Sequence, residues 1–129
     1  MGESLLQVRH PALDRLHTIW KLLLTDNGWP PASAADSDLL RDWQDHLVIV
    51  EANKASGALR ELHIGADVVG EIASSDVIRA TITEVSNIQQ PIVVEESIGQ
   101  NERYTALALP FGDADDGVAR VIVAIYHAP

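Results

Sequence analysis

Residues 118–127 read VARVIVAIYH, and the two faces of this stretch decide the fold. Val118, Val121, Ile122, Val123 and Ile125 are β-branched and favour an extended strand. One alternating set, Ala119, Val121, Val123 and Ile125, is wholly apolar. The other, Val118, Arg120, Ile122, Ala124 and Tyr126, is largely so. Successive side chains of a strand point to opposite faces, so this strand is expected at the centre of a sheet, covered on both sides. One cover is a helix; the other is the N-terminal helices or a second subunit.

Upstream, Ile92–Ile98 and Arg103–Phe111 read as two further strands. They are linked by Gly99-Gln100-Asn101 and by GDADDG at 112–117, which have the length and residues of hairpin loops. Glu95 and Glu96, like Arg60 and Glu61 earlier, mark solvated positions nearer a sheet edge. Pro91 closes a helix capped by Ser74, Ser75 and Asp76, with an expected buried stripe of Val77, Ile78, Ile82, Val85 and Ile88. Before it, His46–Asn53 (HLVIVEAN) and Ala58–Ile64 form a hairpin about the turn Lys54-Ala55-Ser56-Gly57. Ala66–Ile72 reads as a short helical or irregular piece.

The N-terminal part is helical. Pro11 suits a first turn, and Leu13, Leu16, Ile19, Trp20, Leu23 and Leu24 recur at helical spacing until Asn27-Gly28 and Pro30-Pro31 stop it. After a loop at Ala32–Ala35, the caps Asp36, Ser37 and Asp38 precede a second, shorter helix bearing Leu39, Leu40 and Trp43. The expectation is one α+β domain over 1–129: a flexible arm (1–10), N-terminal helices (11–45), then an antiparallel sheet with crossing helices (46–129).

Several short stretches occur in a familiar order. They are Ile19-Trp20, Trp29-Pro30, Leu39-Leu40, Leu47-Val48-Ile49-Val50, Ile64-Gly65, Gln90-Pro91 and Leu109-Pro110-Phe111. With them, residues 16–127 resemble a bacterial PAS-like sensor family that carries a helical region ahead of its sheet. The resemblance implies a five-stranded antiparallel sheet of order 2-1-5-4-3, which also puts the last strand at the centre. It further implies a ligand pocket between the middle helix and the sheet. His63 at the pocket mouth, Ile78, Thr81 and Val85 on the helix, and Tyr104 on the sheet would then contact a small molecule. Thr81 has an alternative, a bond from its hydroxyl to its own helix carbonyl, and Tyr104 can simply pack at a sheet margin. Gly65–Asp76 is short for a PAS domain, whose pocket is walled there by several helical turns; this argues against a roomy cavity.

Composition narrows the function. Nine Lys and Arg face nineteen Asp and Glu, a net charge of -10, which disfavours nucleic acid and anionic membrane surfaces. With no Cys, disulfides, thiolate metal sites and flavin–thiol photochemistry are excluded. No His lies on Val77–Gln89 to serve as a haem ligand, and no two His have metal-ligand spacing. In GDADDG a calcium loop would need a carboxylate at Gly117 and Glu at Ala124. Glu95 and Glu96 alternate faces and cannot act as an acid/base pair. His17, between Asp14 and Lys21, reads as a solvated surface residue, and His46 as a boundary residue. No apolar run nears the roughly 20 residues of a membrane span, and Met1–His10 is no secretory signal, so a cytoplasmic address is expected.

The expected function is a non-enzymatic, stand-alone sensory or regulatory module that binds a signalling partner protein and a small molecule, without a cofactor or metal. Leu13, Trp20 and Trp29 are the expected partner interface. Leu6, Leu13 and Trp20 stand at heptad spacing, while Trp29 between Gly28 and Pro30 is either a contact residue or buried under its loop. A homodimeric scaffold without ligand is the alternative. An isomerase-type enzyme using His63 with Glu95 is the third reading.

Overall fold

A computed structural model describes residues 10–26, 28–36, 38–52, 58–68, 75–98, 102–113 and 117–127. Helix α1 (Pro11–Leu22) is followed by two 3₁₀ helices, Ala32–Asp36 and Asp38–His46. Then come β1 (Leu47–Ala52), β2 (Leu59–Ile64), α2 (Asp76–Ile88), β3 (Ile92–Ile98), β4 (Glu102–Asp113) and β5 (Gly117–His127). The five strands form one sheet in the order β2-β1-β5-β4-β3, every neighbouring pair antiparallel. This is the PAS-like α+β order that the resemblance implied.

β5 occupies the centre, between β1 and β4. On one face Val121, Val123 and Ile125 pack with Val48, Val50, Ala106 and Ala108 beneath Ile78, Ile82 and Val85 of α2. On the other, Ile122 and Ala124 pack with Leu47, Leu107, Leu109 and Phe111 beneath Leu13, Leu16, Trp20, Leu40 and Trp43. The second cover, left open between helices and another subunit, is thus the chain's own N-terminal layer. Each fully buried aliphatic side chain contributes roughly 1.5–3 kcal/mol, so both covers are energetically substantial.

The N-terminal layer is also tied down by polar contacts. β3 pairs with β4 only as far as Ala108, so the end of β4 has one side without a strand. There the Trp20 indole donates to the Pro110 carbonyl at 2.9 Å, and the Gly112 amide donates to the Pro30 carbonyl at 2.9 Å. The Trp43 indole donates to the Ala12 carbonyl at 2.8 Å, joining the second 3₁₀ helix to α1. Buried backbone groups need such partners.

Four expectations about the helical segments are corrected. The loop at Ala32–Ala35 is a 3₁₀ turn, and the second N-terminal helix is 3₁₀ throughout. α1 ends at Leu22, leaving Leu24 exposed. On α2, Val77 and Ile88 are exposed, and the buried row is Ile78, Thr81, Ile82 and Val85. That row has the i, i+3, i+4, i+7 spacing of one helix face, and Val77 falls beside it. Ser75 is the cap: its hydroxyl accepts from the Ile78 amide at 3.1 Å and donates to Glu96 Oε1 of β3 at 2.7 Å.

Gly65 closes β2. A Cβ there would overlap the backbone of Gln44 and Asp45, while its amide donates to the Leu47 carbonyl at 2.8 Å. Gly65→Ala should therefore force the 3₁₀ helix away from the hairpin and lower the unfolding free energy by about 2–3 kcal/mol in a urea titration. Ile122→Ala, which opens a cavity under the N-terminal layer, should cost about 3 kcal/mol. Leu22→Ala, at an 80% exposed site, should stay within about 0.5 kcal/mol. Ser75→Ala should cost about 1 kcal/mol through loss of the α2 cap.

Candidate functional site

α2 packs on β5, β4 and β3. A helix with its side chains is about 10 Å wide and strands repeat every ~4.8 Å, so one helix covers two or three strands. The edge strand β2 is left outside this cover, and a cleft of about 470 Å³ opens between it and α2. Val48 and Val50 of β1 form its floor and Ile82 of α2 its wall, with Leu59, Glu61, Arg79 and Thr83 around the mouth. Arg79, Ile82 and Thr83 stand at i, i+3 and i+4 on α2 and so share one side of the helix. The volume lies within the range of small-molecule pockets, and an apolar floor with a few polar groups at the rim is their usual chemistry. Glu61 and Arg79 place opposite charges at the mouth.

The expected ligand residues do not line this cleft. Ile78 and Val85 are buried in the core beneath α2. The Thr81 hydroxyl donates to the Val77 carbonyl at 2.7 Å, which is the alternative its sequence position allowed. Tyr104 is buried elsewhere, its hydroxyl donating to Glu102 Oε2 at 3.2 Å and lying 3.0 Å from His127 Nε2. His63 lies on the opposite face of the sheet. Val50 pairs with Glu61 but Ile49 pairs with His63, so Leu62 is an extra residue and the alternation reverses there. His63 therefore joins Asp38, Arg41 and Ile49 around a separate cavity of about 230 Å³, with Nε2 3.0 Å from the Gln44 carbonyl. The α2 residues overlooked, Arg79 and Thr83, were signalled by their helical spacing on either side of Ile82, at the edge of the buried row.

The expected partner surface is also corrected. Leu13 is 0% and Trp20 6% exposed, both turned into the N-terminal core, and Leu6 lies outside the described residues. A heptad pair marks an apolar helix face but not whose core it joins. Trp29 is half-buried and touches both apolar clusters; its indole nitrogen is buried without a hydrogen-bond partner among the described residues. His17, expected on a solvated face, is half-buried beside Trp20 at a ring separation of 6.1 Å. Burial chiefly, with Lys21, holds its pKa below the ordinary value, against a smaller opposing pull from Asp14.

Two chemical readings can be checked directly. His63 and Glu95 sit on the two edge strands, four strand spacings or about 19 Å apart, and Glu95 is bonded to Arg103 at 2.8 Å. They cannot form an acid/base pair. Glu95 and Glu96 face opposite ways as expected, since Glu96 turns to Ser75 beneath α2. Of the GDADDG loop, 114–116 lie outside the described residues. Among the described residues no cluster of His, Asp and Glu is arranged to hold a metal ion, and no helix is long and apolar enough to cross a membrane.

No family model matches the chain, and no curated protein matches its sequence. Solved structures similar to it include the following two. One is a sensory box sensor histidine kinase from Vibrio cholerae, 13% identical over 76% of this chain and 93% of that chain, TM-score 0.41. The other is the ligand-binding domain of a Pseudomonas aeruginosa amino acid chemoreceptor in complex with GABA, 20% identical over 90% of this chain, TM-score 0.47. This chain spans 52% of that second structure. Its own strand order, with one helix across one face and a helical layer on the other, gives the chain a PAS-like α+β fold.

Proposed function

We propose that this chain is a sensory or regulatory module that binds a small molecule in the cleft between α2 and the β1–β2 hairpin, and relays its occupancy to a partner protein. The cleft itself carries this reading: about 470 Å³ of space beside a fully packed core, on the helix-covered side of the sheet. Val48, Val50 and Ile82 suit an apolar body. Arg79 and Glu61 suit a molecule with a carboxylate, an amine or both at its outer end. A ligand gripping Arg79 and Ile82 would bear on α2, whose N-terminus is fastened to β3 through Ser75 and Glu96. Occupancy could thus be felt across the sheet. The scaffold reading rested on a bare face of β5 and on Leu6, Leu13 and Trp20 at heptad spacing; that face is filled by residues of the same chain, with Leu13 and Trp20 buried among them.

Native mass spectrometry of the purified chain, followed by a thermal-shift screen of small amphipathic acids and amines, tests this. A hit should bind Thr83→Trp at least about tenfold more weakly, because the indole fills the mouth from an exposed helix position, with the melting temperature of the free protein little changed. Arg79→Ala should weaken an acidic ligand about tenfold, the loss of one charge-assisted hydrogen bond. Equal affinity of wild type and Thr83→Trp for every hit would place binding elsewhere and remove the proposal.

A further inference from the structure

A cavity of about 350 Å³ lies apart from the cleft, lined by His10, His46, His127, Tyr104, Tyr126 and Asp67. His10 stands at its centre of action. As the N-cap of α1, its Nδ1 accepts from the Ala12 amide at 3.1 Å, and its carbonyl accepts from the Asp14 amide at 2.9 Å. Its ring packs against Tyr126 at 4.7 Å. Tyr126 also stacks with His46, at 4.0 Å and 13° between planes. His46 is held in turn by the Ile125 carbonyl, 3.3 Å from Nδ1, and faces the Asp67 carboxylate at 3.6 Å from Nε2. One aromatic ring of β5 thereby joins the start of α1 to the junction between the 3₁₀ helix and β1.

This arrangement needs an uncharged His10. Only the neutral tautomer with its proton on Nε2 leaves Nδ1 free to accept, since an imidazolium donates from both nitrogens. A positive charge is also disfavoured at a helix N-terminus. The charged and titratable groups around His10, among the described residues, are Arg15 from α1, His46 from the 3₁₀ helix, Asp67 from the segment after β2, Tyr104 from β4, and Tyr126 and His127 from β5. The first two repel a charged ring, and Asp67 is taken up with His46. The geometry points to a proton-responsive latch: neutral His10 caps α1 and ties the helix start to Tyr126, and through it to His46, and protonation removes that cap and frays the first turn's backbone.

The sign is set by the docked state. Burial first, then His46 and Arg15, holds docked His10 below its ordinary value of 6.5, and release returns it toward that value. The latch is therefore complete above the ordinary value and is lost as pH falls below it through the docked value. The helix itself stays seated, because Leu13, Leu16 and Trp20 remain buried and Trp43 still holds the Ala12 carbonyl; what protonation removes is the cap on its first amides.

Amide hydrogen exchange on the intact chain, corrected for intrinsic rates, tests the latch between about pH 7.5 and about pH 5.5. Amides 12–15 should lose protection a few-fold relative to those of β5. His10→Asn keeps an acceptor that does not titrate, so its first turn should hold constant protection; His17→Asn should respond as wild type does. An NMR titration of the His10 ring in wild type, which needs no variant, should give a midpoint below the ordinary value. The latch is overturned if His10→Asn opens as wild type does, if β5 loses protection in parallel, or if the His10 ring titrates at or above its ordinary value.

Discussion

Val121, Val123 and Ile125 on one face of β5, with Ile122 and Ala124 on the other, must all be kept from water, and all are 0–3% exposed. A strand buried on both sides cannot be satisfied by one layer, so the chain has to supply two. α2 provides one and the N-terminal segment the other. The sheet order follows the same demand: placing β5 between β1 and β4 gives its backbone groups partners on both edges while its side chains meet both covers. Because this segment forms one of the two covers, α1 and the 3₁₀ helices are part of the core and not an appendage to it.

The cleft is the other side of that arrangement. Both covers are centred on β4 and β5, and the N-terminal one meets β2 at its rim, where His63 lies 3.0 Å from the Gln44 carbonyl. The β1–β2 hairpin consequently borders open space on each face, about 470 Å³ on the α2 side and about 230 Å³ on the other. The open space in this fold arises where the packing stops. Filling it with larger core residues would require a second helix on each side.

Much of this was legible in the sequence. The two apolar sets of 118–127 placed β5, and the capping serine and the row at 78, 82 and 85 placed α2. What escaped has local physical reasons. Arg60-Glu61-Leu62-His63 contains no glycine and alternates evenly, so the extra residue at Leu62 left no mark, and His63 was assigned to the wrong face. Asp38–His46 looks amphipathic as an α-helix, yet Leu40, Trp43 and His46 recur every third residue, which is the period of a 3₁₀ helix. The apolar spacing of Leu13 and Trp20 was read correctly as a face, but a face says nothing about its partner. The contact of His46 with Tyr126 spans eighty positions, and no neighbouring residue announces it.

The indoles of Trp20 and Trp43 lie in the same layer, each bonded to a backbone carbonyl of a different element. Trp29 touches the apolar clusters on both sides. The chain's intrinsic emission is therefore weighted toward one half of the molecule: near-ultraviolet fluorescence follows the seating of the N-terminal cover.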